Sequence, residues 1–191
     1  MTEFQIYGPL SIPYDKNVKE RTLLIDKFWF KHKNFFYNIG CYIYALTMTK
    51  TCSSGSKYSK KIEIKQNHIP YYIGSTTKCF GYECFSNINL KYFNDLLRQY
   101  SRYNPSIFFI LPNEYENKSI STEIDEIRIE IDELKNFLFQ SGRIVNYTFY
   151  DLNSNKLPDW SLKGLINNTK RKVKNNIEIK TFKKMMGLNV T

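Results

Sequence analysis

Glycine and proline are scarce in this chain, with 8 and 6 among 191 residues, which excludes a collagen-like or Gly/Pro-rich low-complexity protein. Cysteine is also sparse. Cys41, Cys52, Cys79 and Cys84 form no CxxC pair, and neither His32 nor His68 stands at zinc-ligand spacing from them, so a zinc finger or ribbon is excluded and reduced thiols are expected. No apolar stretch approaches the length of a membrane span, the longest running from about Ile107 to Leu111. There is no lipidation signal, no strongly amphipathic basic helix and no basic-then-apolar leader, and the expectation is a soluble, cytoplasmic protein with no membrane partner. No helix-turn-helix, zinc-finger or RNA-recognition signature is present, which argues against sequence-specific reading of bases. Internal repeats are missing too.

What the chain has in quantity is aromatic residues, 16%, within a hydrophobic content of 42%. That composition and length suit one compact domain with a real core, with room for an added subdomain. A formal net charge of +10 points to a polyanionic partner, because each cation that neutralises a phosphate releases counterion and adds affinity. DNA is the expected partner, with a protein partner as the other. Much of the charge is local: residues 155–191 hold nine basic residues against Asp159 and Glu178.

Along the chain, Pro9 and Pro13 break the start, and an aromatic cluster from Phe28 to Tyr37 follows that should pack onto the domain. Gly40 to Met48 alternates like a strand. Thr49 to His68 reads as a lysine-bearing insertion with a polar loop at Cys52 to Ser56, in which Ile62-Glu63-Ile64 extends a hairpin arm. Pro70 to Gly74 is a second strand, with its proline first, where no ladder bond is lost. One or two helices are predicted from Phe80 to Tyr100, and a buried strand from Ser106 to Leu111. Thr122 to Gln140 is the clearest helix, with Ile124, Ile127, Ile131, Leu134 and Leu138 in one stripe and Gly142 as its stop.

Two of these strands carry tripeptides that belong together: Gly40-Cys41-Tyr42 on the first and Tyr72-Ile73-Gly74 on the second. In this order, each on a strand, they resemble the GIY-YIG nuclease superfamily. The likeness extends to a bacterial group of GIY-YIG domain proteins through Phe80-Gly81-Tyr82-Glu83-Cys84-Phe85, Trp160-Ser161-Leu162-Lys163-Gly164 and Phe182-Lys183-Lys184-Met185-Met186-Gly187. It covers roughly residues 39–187. The resemblance implies an α+β fold with a small three-stranded, mainly antiparallel sheet flanked by helices. Residues 1–38 would be an N-terminal extension packing on the core, 39–150 the GIY-YIG domain with a basic insertion at 49–68, and 151–191 a basic C-terminal extension.

The family hydrolyses phosphodiesters with two strand tyrosines, an arginine and a glutamate-held divalent metal, so the resemblance implies a metal-dependent DNA endonuclease using Mg²⁺ or Mn²⁺. Such a metal polarises a phosphoryl oxygen while a phenol near the attacking water accepts its proton. Tyr42 and Tyr72 match the tyrosines, and Asn146 stands at the spacing of an orienting group. Lys78 is the only cation near the arginine position, without arginine's bidentate fork. Lys135 occupies the position of the metal-binding glutamate, which leaves Asp132, one turn earlier, or Glu83 as the metal ligand. The alternative is a catalytically degenerate module that binds DNA or a protein partner. Lys57, Lys60 and Lys61 in the insertion, with Lys170, Arg171, Lys172 and Lys174 near the C-terminus, are the expected contacts to the phosphate backbone.

Overall fold

The computed structural model describes residues 2–18, 22–54, 61–99, 102–113, 121–141, 161–162 and 177–188. The described strands are β1 (Glu3–Ser11), β2 (Gly40–Ser54), β3 (Lys61–Thr76), β4 (Asn104–Pro112) and β5 (Ser161–Leu162). The helices are α1 (Ile25–Lys31), α2 (Phe80–Glu83), α3 (Asn87–Gln99), α4 (Ser121–Ser141) and α5 (Ile177–Met186). All five strands join one sheet in the order β3-β2-β4-β1-β5; the first four are antiparallel neighbours, and β5 pairs parallel to β1.

The α+β class holds, but the three-stranded expectation is corrected by β1, which is a full strand of the sheet inside the stretch read as an extension. Pro9 reads as a break, yet it falls where the β1–β4 register skips between Tyr7 and Leu10, so its missing N–H costs no regular ladder bond. Strand lengths are corrected as well. β2 and β3 run on into the stretch read as a loop, and their ladder continues to Ser54↔Lys61. The hairpin arm read at Ile62-Glu63-Ile64 is part of this ladder, paired with Ser53, Cys52 and Thr51.

Strand alternation divides the core in two. On one face Cys41, Ile43, Ala45, Ile73, Phe108 and Ile110 meet Ile131, Leu134 and Leu138 of α4 and Phe182, Met185 and Met186 of α5. On the other, Tyr42, Tyr44, Leu46, Ile107 and Phe109 meet Phe28 and Trp29 of α1, Phe80 of α2, and Phe93, Leu96 and Leu97 of α3. With helices on both faces, β4 is buried from Pro105 to Pro112, which explains its continuous apolar run. Each fully buried Phe, Leu or Ile contributes roughly 1.5–3 kcal/mol from apolar burial. Within the aromatic cluster Phe28, Trp29 and Phe35 are buried, whereas Phe30 and Tyr37 face solvent.

The C-terminal helix α5 carries Ile179, Phe182, Met185 and Met186 on one buried stripe. It ends as Gly187 takes a positive φ of 67° and the Leu188 N–H donates to Lys183 O at 3.1 Å, closing a Schellman cap.

Gly40 opens β2 with φ 140°, and a Cβ there would collide with the Ile110 carbonyl oxygen on β4. Gly40→Ala should therefore cost about 3 kcal/mol or more, read as a fall in the urea midpoint. A loss below about 1 kcal/mol would contradict this close approach of two central strands.

Candidate functional site

The two motif strands are direct neighbours. In the β2–β3 ladder Tyr42 lies opposite Gly74, and Tyr44 opposite Tyr72. The next pair is Ala45↔Pro70, so Tyr71 is an extra residue on β3, and this bulge sends both Tyr71 and Tyr72 into the aromatic face. The Tyr42 ring lies directly against Gly74, where a Cβ would overlap its Cζ and hydroxyl. The glycine of the second motif thus makes room for the tyrosine of the first.

Tyr42 is only 1% exposed, and its hydroxyl accepts a hydrogen bond from Asn89 Nδ2 at 2.9 Å. Asn89, itself buried near the start of α3, also donates to the Glu83 carbonyl at 2.7 Å, tying α2, α3 and β2 together. Tyr44 is equally buried, and its hydroxyl donates to the Cys84 carbonyl. Tyr72 is half-buried and links the interior to the surface: its ring stacks on Tyr44 at 5.8 Å and on Tyr92 at 5.6 Å. Burial drives the phenol pKa of Tyr42 far above its ordinary value, with the neighbouring Cys84, Tyr72 and Glu83 adding to the effect. Tyr44 is shifted the same way by burial. Burial also raises Tyr72, although the Tyr42 hydroxyl pulls it partly back. These phenols are neutral at pH 7 and suited to holding hydrogen bonds rather than accepting a proton from water.

The two candidate carboxylates do not come together. Glu83 ends α2 on the tyrosine face, near enough to raise the pKa of Tyr42 and Tyr72. Asp132 is on α4, across the sheet, exposed and accepting a hydrogen bond from Ser75 Oγ at 3.3 Å. Lys135, also on α4, stands with Asp132 beside the buried Cys41, whose thiol pKa burial raises and the lysine opposes. A charge exchange between Glu83 and Lys135 is likewise interrupted by the sheet. Among the described residues no three His, Cys, Asp or Glu side chains gather as a metal-binding group. Lys78 is exposed in the turn after β3, where its backbone N–H donates to Thr76 Oγ1 at 3.1 Å.

Lys61 begins β3, while Lys57, Lys60, Asn146, Lys170, Arg171, Lys172 and Lys174 lie outside the described residues. Asn89 is a functional residue of this face that the motifs did not point to. One signal was available: Asn89 precedes Phe93, Leu96 and Leu97 by four, seven and eight residues, a polar residue on the apolar stripe of its own helix. Compared with family models, curated proteins and solved structures, the chain matches none.

Two outcomes follow from the locked phenols. Asn89→Ala should cost about 1–3 kcal/mol by removing the bonds that the Tyr42 hydroxyl and the Glu83 carbonyl accept, and Asn89→Leu combined with Tyr42→Phe should cost less than those two changes made singly and summed. Full additivity in urea unfolding would remove the Asn89–Tyr42 bond from the argument. The second concerns pH. Because the folded tyrosine pKa values lie above those of the unfolded chain, their contribution is complete below about pH 10 and is lost as pH rises further. The urea midpoint should begin to fall near pH 9, where thiols of the unfolded chain ionise and the buried Cys41 and Cys84 do not, and fall further between pH 10 and 11.5, with a slope of up to about 1.4 kcal/mol per pH unit for each tyrosine.

Proposed function

We propose that this chain is a GIY-YIG-type module that binds DNA without cutting it. The observation that carries the reading is the state of Tyr42, buried, packed on Gly74 and bonded to Asn89. A phenol that takes a proton from attacking water needs access to that water and an attainable pKa; Tyr42 has neither. The pairing of the GCY and YIG strands, with both tyrosines on one face, supports the family likeness. The net charge of +10 supports a polyanionic partner.

A bound Mg²⁺ or Mn²⁺ does not fit the described residues well. Such ions are commonly held by one or two carboxylates, with waters and substrate phosphate completing the shell, and Glu83 and Asp132, on helices at opposite faces of the sheet, cannot both serve one ion. The endonuclease reading retains one supporting observation: Glu83 shares the tyrosine face and Tyr72 is only half-buried. In that case Glu83 alone among the two candidates would supply the carboxylate.

Labelled single- and double-stranded oligonucleotides distinguish these readings. Binding should weaken steeply as salt rises from 50 to about 200 mM, and no cleavage above a protein-free blank should appear with Mg²⁺ or Mn²⁺. Metal-dependent cleavage by the wild type that disappears in Glu83→Gln or Tyr72→Phe would overturn the non-catalytic reading in favour of the nuclease.

A further inference from the structure

Beyond the tyrosine face, β3 and α5 border an open groove of about 360 Å³, near the lower end of the size range of ligand pockets. Lys180 and Lys184 stand one turn apart on its α5 wall with Thr181 between them, and Asn67 and His68 line its β3 wall. The Lys184 ammonium donates to Asn67 Oδ1 at 3.1 Å, which fixes its head in the groove and leaves two further N–H donors. Among the described residues no carboxylate lines the groove. The described acid on α5, Glu178, lies instead near Tyr7 of β1.

His68 is held by a chain of hydroxyls. Ser106 Oγ lies 3.4 Å from the Ala45 carbonyl and 2.9 Å from Thr47 Oγ1, which in turn is 2.8 Å from His68 Nδ1. The chain engages Nδ1 and leaves Nε2 for a ligand. The groups around the ring are Lys180, Thr181 and Lys184 from α5, Thr47 from β2, Gln66 and Asn67 along β3, and Phe108 of β4, whose ring stands edge-on at 6.0 Å. A site with two ammonium groups and an imidazole able to become a donor, and with no acid among its described residues, has the chemistry of an anion receptor.

We propose that this groove seats a backbone phosphate of a polynucleotide, gripped by Lys180 and Lys184 and, once protonated at Nε2, by His68. The choice of a polynucleotide as the phosphate's carrier rests on the DNA-binding reading above. Burial and the Lys184 charge both hold the His68 pKa below its usual value, so the ring is neutral at pH 7 in the free protein. A phosphate placed beside it favours the protonated form, and binding therefore takes up a proton and tightens as pH falls toward 5.5.

The test uses the full chain and a fluorescent DNA oligonucleotide, read by anisotropy. Lys180 and Lys184 are exposed, so Lys180→Gln/Lys184→Gln leaves the core intact, which an unchanged thermal melt verifies. It should weaken binding about tenfold at low salt and flatten the salt dependence by about one unit of slope per lysine. Lys27→Gln/Lys33→Gln, an equal charge change on exposed residues at the opposite face, should have a much smaller effect. The wild type should bind more tightly at pH 5.5 than at pH 7, and His68→Gln should lose that gain. Wild-type binding with no difference between the two lysine pairs would overturn the groove while leaving DNA binding in place. No binding by the wild type at low salt would overturn the groove's assignment and the DNA-binding reading together.

Discussion

The period-two alternation of β2 is the constraint on which the rest of the molecule depends. Tyr42, Tyr44 and Leu46 go to one face, Cys41, Ile43 and Ala45 to the other, and every helix that packs on the sheet answers one set or the other. β2 holds this position because it is hydrogen-bonded on both sides, to β3 and to β4. A one-residue slip would exchange the faces, burying Cys41 among aromatics and driving the tyrosines into α4. Gly40 and Gly74 resist that slip. Gly40 admits only the close approach of β4 at Ile110, and Gly74 leaves the space that the Tyr42 ring fills. The two glycines of the paired motifs thus have a packing explanation that requires no chemistry.

The same division decides what the candidate site can do. A hydrolytic centre needs its base, its metal ligands and its phosphate partner to converge on one point. Here the tyrosines and Glu83 are on one side, and Asp132 and Lys135 on the other. On the tyrosine side the polar atoms already satisfy one another: Tyr42 with Asn89, Asn89 with Glu83, Tyr44 with Cys84. A buried network of that kind rigidifies a core and is costly to open, since each hydroxyl that loses its partner is left desolvated.

How much of this could be read from the sequence follows from the range of the interactions. The strands around Tyr42, Tyr72 and Ile107 to Leu111 and the helix to Gln140 were legible because apolar period and local turn residues specify them. The first strand was hidden because its stabilisation comes from β4, about a hundred residues away, and its Gly8-Pro9 pair, with Pro13 just beyond it, mimics a break. The helix α5 was hidden among lysines, although Ile179, Phe182, Met185 and Met186 keep helical spacing up to Gly187. For the site, the pairing of the two tyrosines was visible in the motif order. The face on which each acid lands was not, because α2 and α4 are sent to opposite sides by connections that carry no local signature.

The distribution of polar chemistry then follows from how each face is covered. On the tyrosine face α1, α2 and α3 close over large aromatic rings, and the hydroxyls beneath are consumed by internal bonds. On the other face α5 meets β3 along its edge, so the apolar stripe of Phe182 and Met186 is buried while the lysines at the flank of the same helix remain solvated. Solvated cations cost little to keep charged and retain donors for a ligand, whereas a buried phenol must stay neutral. Among the described residues, Lys180 and Lys184 at the rim of the α5 face thus stay solvated, whereas the motif tyrosines belong to the packed interior on the opposite face.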